Sequence, residues 1–186
     1  SKFMGIFNGT SNFILSKMTH EQTTFKDALE EAQRLGFAEA DPTDDVEGVD
    51  AARKVVITSY LSFNQVIKLN DVKLVGISDI TLADINAASA LNYKIKLIGK
   101  GTYENGYVNA SVEPTLIHKN HQLAAVENEY NAIYVIGDAV GDTMFYGKGA
   151  GSLATGSAVV SDLLNVALFF ESNLHTLPPH FELKTE

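Results

Sequence analysis

Two runs of alternating apolar and polar residues, YKIKLIGKGTY over Tyr93–Tyr103 and GYVNASVEPTLI over Gly106–Ile117, meet at Glu104-Asn105-Gly106. A period of two puts successive side chains on opposite faces of a strand, and Asn-Gly takes the positive φ angles that a tight reversal needs. The chain must therefore accommodate a long β-hairpin. NAIYVIG and DTMFYGKG predict two more strands, joined by a turn over Gly137–Gly141. Helices are expected at NGTSNFILSKM behind polar capping residues, and along the stripe Phe25, Leu29, Ala32 and Leu35, closed by Gly36. Further helices are expected from Asp50 through AARKVVITSYL, at LADINAASAL behind a Thr81 cap, and from Ser152 onward. Together these predict an α+β fold, with a mixed or mainly antiparallel β-sheet and helices packed on one face.

At 186 residues and 45% hydrophobic content the chain can bury one sizeable core. Residues 1–170 read as a single domain. The closing ESNLHTLPPHFELKTE, residues 171–186, has the paired prolines and polar content of a tail or linker. No internal repeat is evident. No apolar run is expected to reach membrane-spanning length, and no leader pattern opens the chain. The absence of cysteine excludes disulfide and thiolate chemistry and suits a reducing cytoplasm. A formal charge of −9 argues against nucleic acid or an anionic membrane as partner.

The chemistry concentrates in AQRLGFAEADPTDDVEGVDAARK, Ala32 to Lys54, where Glu39, Asp41, Asp44, Asp45, Glu47 and Asp50 precede one lysine. On a helix beginning near Asp50, Asp50 and Lys54 stand at i and i+4, so carboxylate and ammonium share a face. Such a pair can hold and release a proton, although exposed pairs of this spacing are common and weak. Gly36, Pro42 and Gly48 fix the path of the loop, whose dense negative charge suits an ammonium group. A calcium loop is the competing metal reading. The ligand order and sixth-position glycine of an EF-hand are absent, so no metal site is assigned.

Ala32, Gly36-Phe37-Ala38, Asp41-Pro42, Asp45-Val46, Gly48, Asp50 and Lys54 fall at the spacing of the homoserine dehydrogenase signature. Gly5-Ile6-Phe7-Asn8-Gly9-Thr10-Ser11-Asn12-Phe13-Ile14 and Gly147-Lys148-Gly149-Ala150-Gly151 extend the resemblance over most of the chain. The family reduces L-aspartate 4-semialdehyde to L-homoserine with NADPH or NADH, on the route to threonine, isoleucine and methionine. The resemblance implies that Lys54 exchanges a proton with the substrate oxygen and that Asp50 positions it. It implies that Glu39 receives the substrate's amino group, with Asp45, Thr10 and Gly9 as further substrate contacts. Gly36 and Gly149 match positions where backbone approaches the cofactor. The family is typically a homodimer, and some longer relatives carry an effector-binding regulatory domain after such a tail.

A nicotinamide enzyme needs a dinucleotide site, usually a strand, a GxGxxG turn and a helix. No such unit occurs here, and Gly147, Gly149 and Gly151 are spaced GxGxG. In this family the nucleotide-binding domain comes first, so NADP or NAD is expected to be held mainly by a domain ahead of this stretch. His118 and His121 lack an acid at metal-ligand spacing, and no GxSxG elbow or HExxH occurs. The alternation of Tyr93, Ile95 and Leu97 with Lys94 and Lys96 fits a sheet face or an interface equally. A non-catalytic amino-acid-binding or oligomerisation domain of the same ancestry is the alternative to a catalytic part.

Overall fold

The computed structural model describes residues 1–171, so the expected tail lies almost entirely outside the described residues. Two units are distinguished, Ser1–Gly149 and the segment from Ala150 onward.

In the first unit the predicted hairpin forms the longest pair of the sheet, β3 (Tyr93–Glu104) against β4 (Tyr107–His118), paired from Tyr93↔His118 to Glu104↔Tyr107. The second hairpin is β5 (Tyr130–Gly137) with β6 (Gly141–Lys148), closed at Gly137↔Gly141 as its glycines predict. Between them lies a strand that the pattern did not announce, β1 (Lys2–Ile6), antiparallel to both β3 and β5. Its five residues carry a glycine, so their strand signal is weak. A two-residue β2 (Lys73–Leu74) joins β4 in parallel. The six-stranded order is β2-β4-β3-β1-β5-β6.

Helices lie on one face, with α1 (Gly9–Glu21), α4 (Val49–Phe63) and α5 (Leu82–Ala90) against the sheet and α2 (Phe25–Arg34) against α1. A four-residue helix, α3 (Thr43–Val46), interrupts the acidic loop. Three helix starts follow their capping chemistry: Asn8, Thr24 and Thr81 accept backbone N–H groups of the first turns of α1, α2 and α5. Thr81 and Asp84 form the reciprocal capping box. The main core joins Phe3, Phe7 and Leu97 of the sheet side to Phe13, Ile14, Ala51, Ala52 and Val55 of α1 and α4. A smaller core on the other face gathers Ile6, Ile98, Ile117 and Tyr134 under the short turn Gln122–Ala125.

Lys96 departs from the simple alternation. It is 1% exposed and stands on β3 three residues before Gly99, where the pairing with β1 ends. There it donates to Asn12 Oδ1 at 3.0 Å and Val126 O at 2.7 Å, with Glu127 Oε2 at 3.2 Å.

The second unit contains α6 (Ser152–Glu171), which begins where Ser152 predicts. The expectation that no apolar run reaches membrane-spanning length is corrected here: by length and composition alone Ser152–Phe170, 19 residues, is long and apolar enough. Interspersed Ser, Thr and Gly and the single Asp162 disguise the run in the sequence. The core helices of soluble proteins pass the same test.

Candidate functional site

The acidic loop is positioned by its small and turn-forming residues. Gly36, at φ +78°, closes α2 in the left-handed region, and Phe37 and Ala38 donate N–H groups back to Ala32 O at 2.9 and 3.2 Å. The Phe37 ring packs on Phe13, with centroids 4.9 Å apart. Buried Ala38 and Val46 pin the two ends of the loop to the core. Gly48, at φ +80°, turns the chain into α4, so that Asp50 falls in the first turn, where the helix dipole favours an anion.

Lys54 stands one turn further on and donates to Asp50 Oδ2 at 2.7 Å, as the i,i+4 spacing predicts. It also donates to Phe7 O at 3.0 Å, tying α4 to the connection between β1 and α1. That connection supplies the residue missed in the sequence. Asn8 donates from Nδ2 to Asp45 Oδ1 at 2.6 Å and to Asp50 Oδ2 at 2.9 Å. Its position directly before Gly9-Thr10 was visible, but a contact spanning 37 and 42 residues was not.

Two cavities are lined by members of this group, Asp45 and Asp50 in one and Lys54 in the other. The first, about 600 Å³, is lined by Thr10, Gly36, Phe37, Glu39, Asp41, Thr43, Asp44, Asp45 and Asp50. Glu39, Asp45, Asp50, Thr10 and Gly36, predicted from separate points of the sequence, thus share one acidic cavity. Thr10 donates to Phe37 O at 2.6 Å, holding the loop over α1. The second cavity, about 300 Å³, is mainly apolar, lined by Ile6, Phe7, Ile57 and Ile133 with Lys54, Thr58, Asn131 and Gly149. Gly36 and Gly149 therefore line different cavities. Gly9 lines neither, and a side chain there would meet Glu129 O at 2.6 Å, so its place follows from packing against the start of β5.

Burial pushes the Asp45 carboxyl above its ordinary pKa, and the nearby Asp50 charge adds to this. The hydrogen bond from Asn8 and the Lys54 charge oppose the shift. The other acids have local partners: Asp41 accepts from Thr43 N and Oγ1, Asp44 pairs with Arg53, and Glu47 accepts from Ser78. No three carboxylate or imidazole groups converge among the described residues as a metal ion would need. The arrangement can hold a cationic group in the acidic cavity, present an ammonium proton at Lys54 and place a flat apolar ring beside it.

The family model for homoserine dehydrogenase matches residues 1–164. The homoserine dehydrogenase of Bacillus subtilis (strain 168) is 55% identical over 166 residues, covering 89% of this chain and 38% of that protein. A crystal structure of the S. aureus homoserine dehydrogenase superposes with a TM-score of 0.89 at 87% identity, covering 100% of this chain and 46% of that one. A hyperthermophilic archaeal homoserine dehydrogenase mutant in complex with NADPH superposes with a TM-score of 0.74 at 29% identity, covering 90% and 47%. The chain thus spans less than half the length of each of these relatives.

Proposed function

The chain belongs to the homoserine dehydrogenase family, and from that premise we propose that it forms the substrate-binding and catalytic part of an enzyme interconverting L-aspartate 4-semialdehyde and L-homoserine. The observation that carries this reading is that Lys54, which lines the apolar cavity, is ion-paired at 2.7 Å with Asp50, which lines the acidic one. Glu39 and Asp45 supply anions for the substrate's ammonium, and Thr10 lines the same cavity. Asp50 holds Lys54 by the 2.7 Å ion pair. Lys54 gives its Nζ proton to the carbonyl oxygen as negative charge builds there, and takes a proton from the alcohol in the reverse direction. Its side chain is 45% exposed, so it can exchange that proton with solvent between turnovers.

NADP or NAD supplies or accepts the hydride when bound. The apolar cavity fits a flat ring: Gly149 has no side chain to fill it, and Asn131 and Thr58 offer polar atoms among Ile6, Ile57 and Ile133. Most of the dinucleotide is assigned to sequence outside this chain, and the Gly36 backbone, on the acidic cavity, is a separate assigned contact. Gly9 serves the substrate side by allowing α1 to start against β5. The assembled enzyme is proposed to be a homodimer acting in a reducing cytoplasm, on the route to threonine, methionine and isoleucine. The exposed Phe145 and Tyr146 on the edge strand β6 support an intersubunit contact.

Calorimetric titration with L-homoserine tests the reading. Saturable heat is expected, absent with L-threonine and strongly reduced in Glu39→Gln. Equal heat for both amino acids, or an unaffected Glu39→Gln variant, would reject it in favour of a general amino-acid-binding domain.

A further inference from the structure

Asn8 sits where the chain leaves β1 and enters α1, and it is 5% exposed. The two ends of its amide have different tasks. Oδ1 accepts the Ser11 backbone N–H at 2.8 Å, the capping bond of α1. That bond fixes which end of the amide is oxygen and turns the NH2 group toward the acidic loop. The NH2 carries two hydrogens, and two carboxylates receive them, Asp45 at 2.6 Å and Asp50 at 2.9 Å. The Asp50 oxygen that accepts from Asn8 also accepts from Lys54. Lys54 in turn reaches the carbonyl of Phe7, the residue before Asn8.

We propose that Asn8 is a positioning residue of this site: its NH2 group holds the Asp45 and Asp50 carboxylates side by side and, through Asp50, sets where Lys54 presents its Nζ. The proposal rests on the functional reading above. The chemistry explains the residue type. Two carboxylates lining one cavity repel, and a neutral donor with two hydrogens bridges them without changing the charge that an ammonium substrate needs. A lysine or arginine there would neutralise the cavity. A serine would cap α1 about as well but carries a single hydrogen, and an aspartate would cap it while adding a third negative charge.

Asn8→Ser and Asn8→Asp both keep a good N-cap, so they separate the bridge from the cap. The three measurements are thermal melting, the titration of the Asp45 side-chain carboxyl by carbon NMR, and calorimetric affinity for L-homoserine. Asn8→Ser is expected to melt within a few degrees of the parent, to titrate Asp45 at higher pH and to bind L-homoserine about tenfold more weakly. Asn8→Asp is expected to raise the Asp45 titration further. It should also lose stability as pH rises toward neutral and regain it in acid, since the crowded carboxylates favour a bound proton in the folded state. Unchanged Asp45 titration in both variants would overturn the proposal. If Asn8→Ser fails to fold, Asn8→Asp decides alone: parental stability at pH 8 would show that capping is the whole role of Asn8. Should the parent chain take up no L-homoserine, the functional reading fails while the Asp45 titration still tests Asn8.

Discussion

Lys54 has three N–H donors, of which Asp50 and Phe7 O take two. In the proposed function the third is given to a substrate oxygen. Because proton transfer belongs to the transition state, Lys54→Ala in the full-length enzyme should lower kcat by about 10²–10⁴-fold while KM for L-homoserine changes little. Steady-state kinetics check this, and a variant with parental kcat would remove Lys54 from the mechanism. In the proposed function Glu39 faces a charge that persists from substrate to product, so Glu39→Gln should raise KM more than it lowers kcat. At this scale the sequence displayed what lies within one helical turn and hid what lies across the fold. Asp50 and Lys54 were paired by spacing alone. The meeting of Glu39, Asp45 and Asp50 in one cavity depends on Ala38 and Val46 being buried, which charge counting does not reveal. The Asn8 bridge depends on where β1 ends, and β1 itself was not foreseen.

The elements hold together through a few close approaches. Gly99 of β3 passes under α4 so closely that a Cβ would lie 2.5 Å from Val55 Cγ2 and 2.7 Å from Phe7 Cδ2. Gly99→Ala should therefore destabilise by about 1–3 kcal/mol through overpacking, measured by urea unfolding. Lys96 and Glu127 clamp α1 to β3 and to the turn before β5. Burial pulls Lys96 down to about 8 against the attraction of Glu127. Burial alone would push Glu127 up, but the Lys96 charge and hydrogen bonds from Lys94 and Ser16 outweigh it and hold the carboxyl at about 2. A depressed carboxyl contributes stability above its unfolded value, lost as pH falls from about 4.5 toward 2. Glu127→Gln should thus flatten acid unfolding over that window and cost about 3–5 kcal/mol at pH 7 by leaving Lys96 buried without its anion. Adding Lys96→Met should restore part of the loss. The helices and both hairpins were legible because caps, glycines and periodicity agreed on them. β1 and β2 were not, because five and two residues are too few for a period to emerge and only tertiary pairing stabilises them.

At the scale of the whole molecule, β6 ends the sheet with Phe145 64% and Tyr146 58% exposed. An edge left unpaired among the described residues and bearing aromatic side chains invites another chain, so Phe145→Lys should shift the proposed dimer toward monomer in sedimentation velocity. An undisturbed dimer would exclude β6 from the interface. The central place of β1 has its own consequence, in time rather than in space. Lys2 pairs with Thr102 on one side and Ile136 on the other. A ribosome adding roughly 5–20 residues per second delivers β5 on the order of ten seconds after β1. Until β3 and then β5 have been made, Phe3 and Ile6, each 1% exposed in the finished fold, lack the neighbouring strands that bury them. The strand at the centre of the sheet is synthesised well before either of its neighbours, so the nascent chain must be kept from aggregating until β5 has followed.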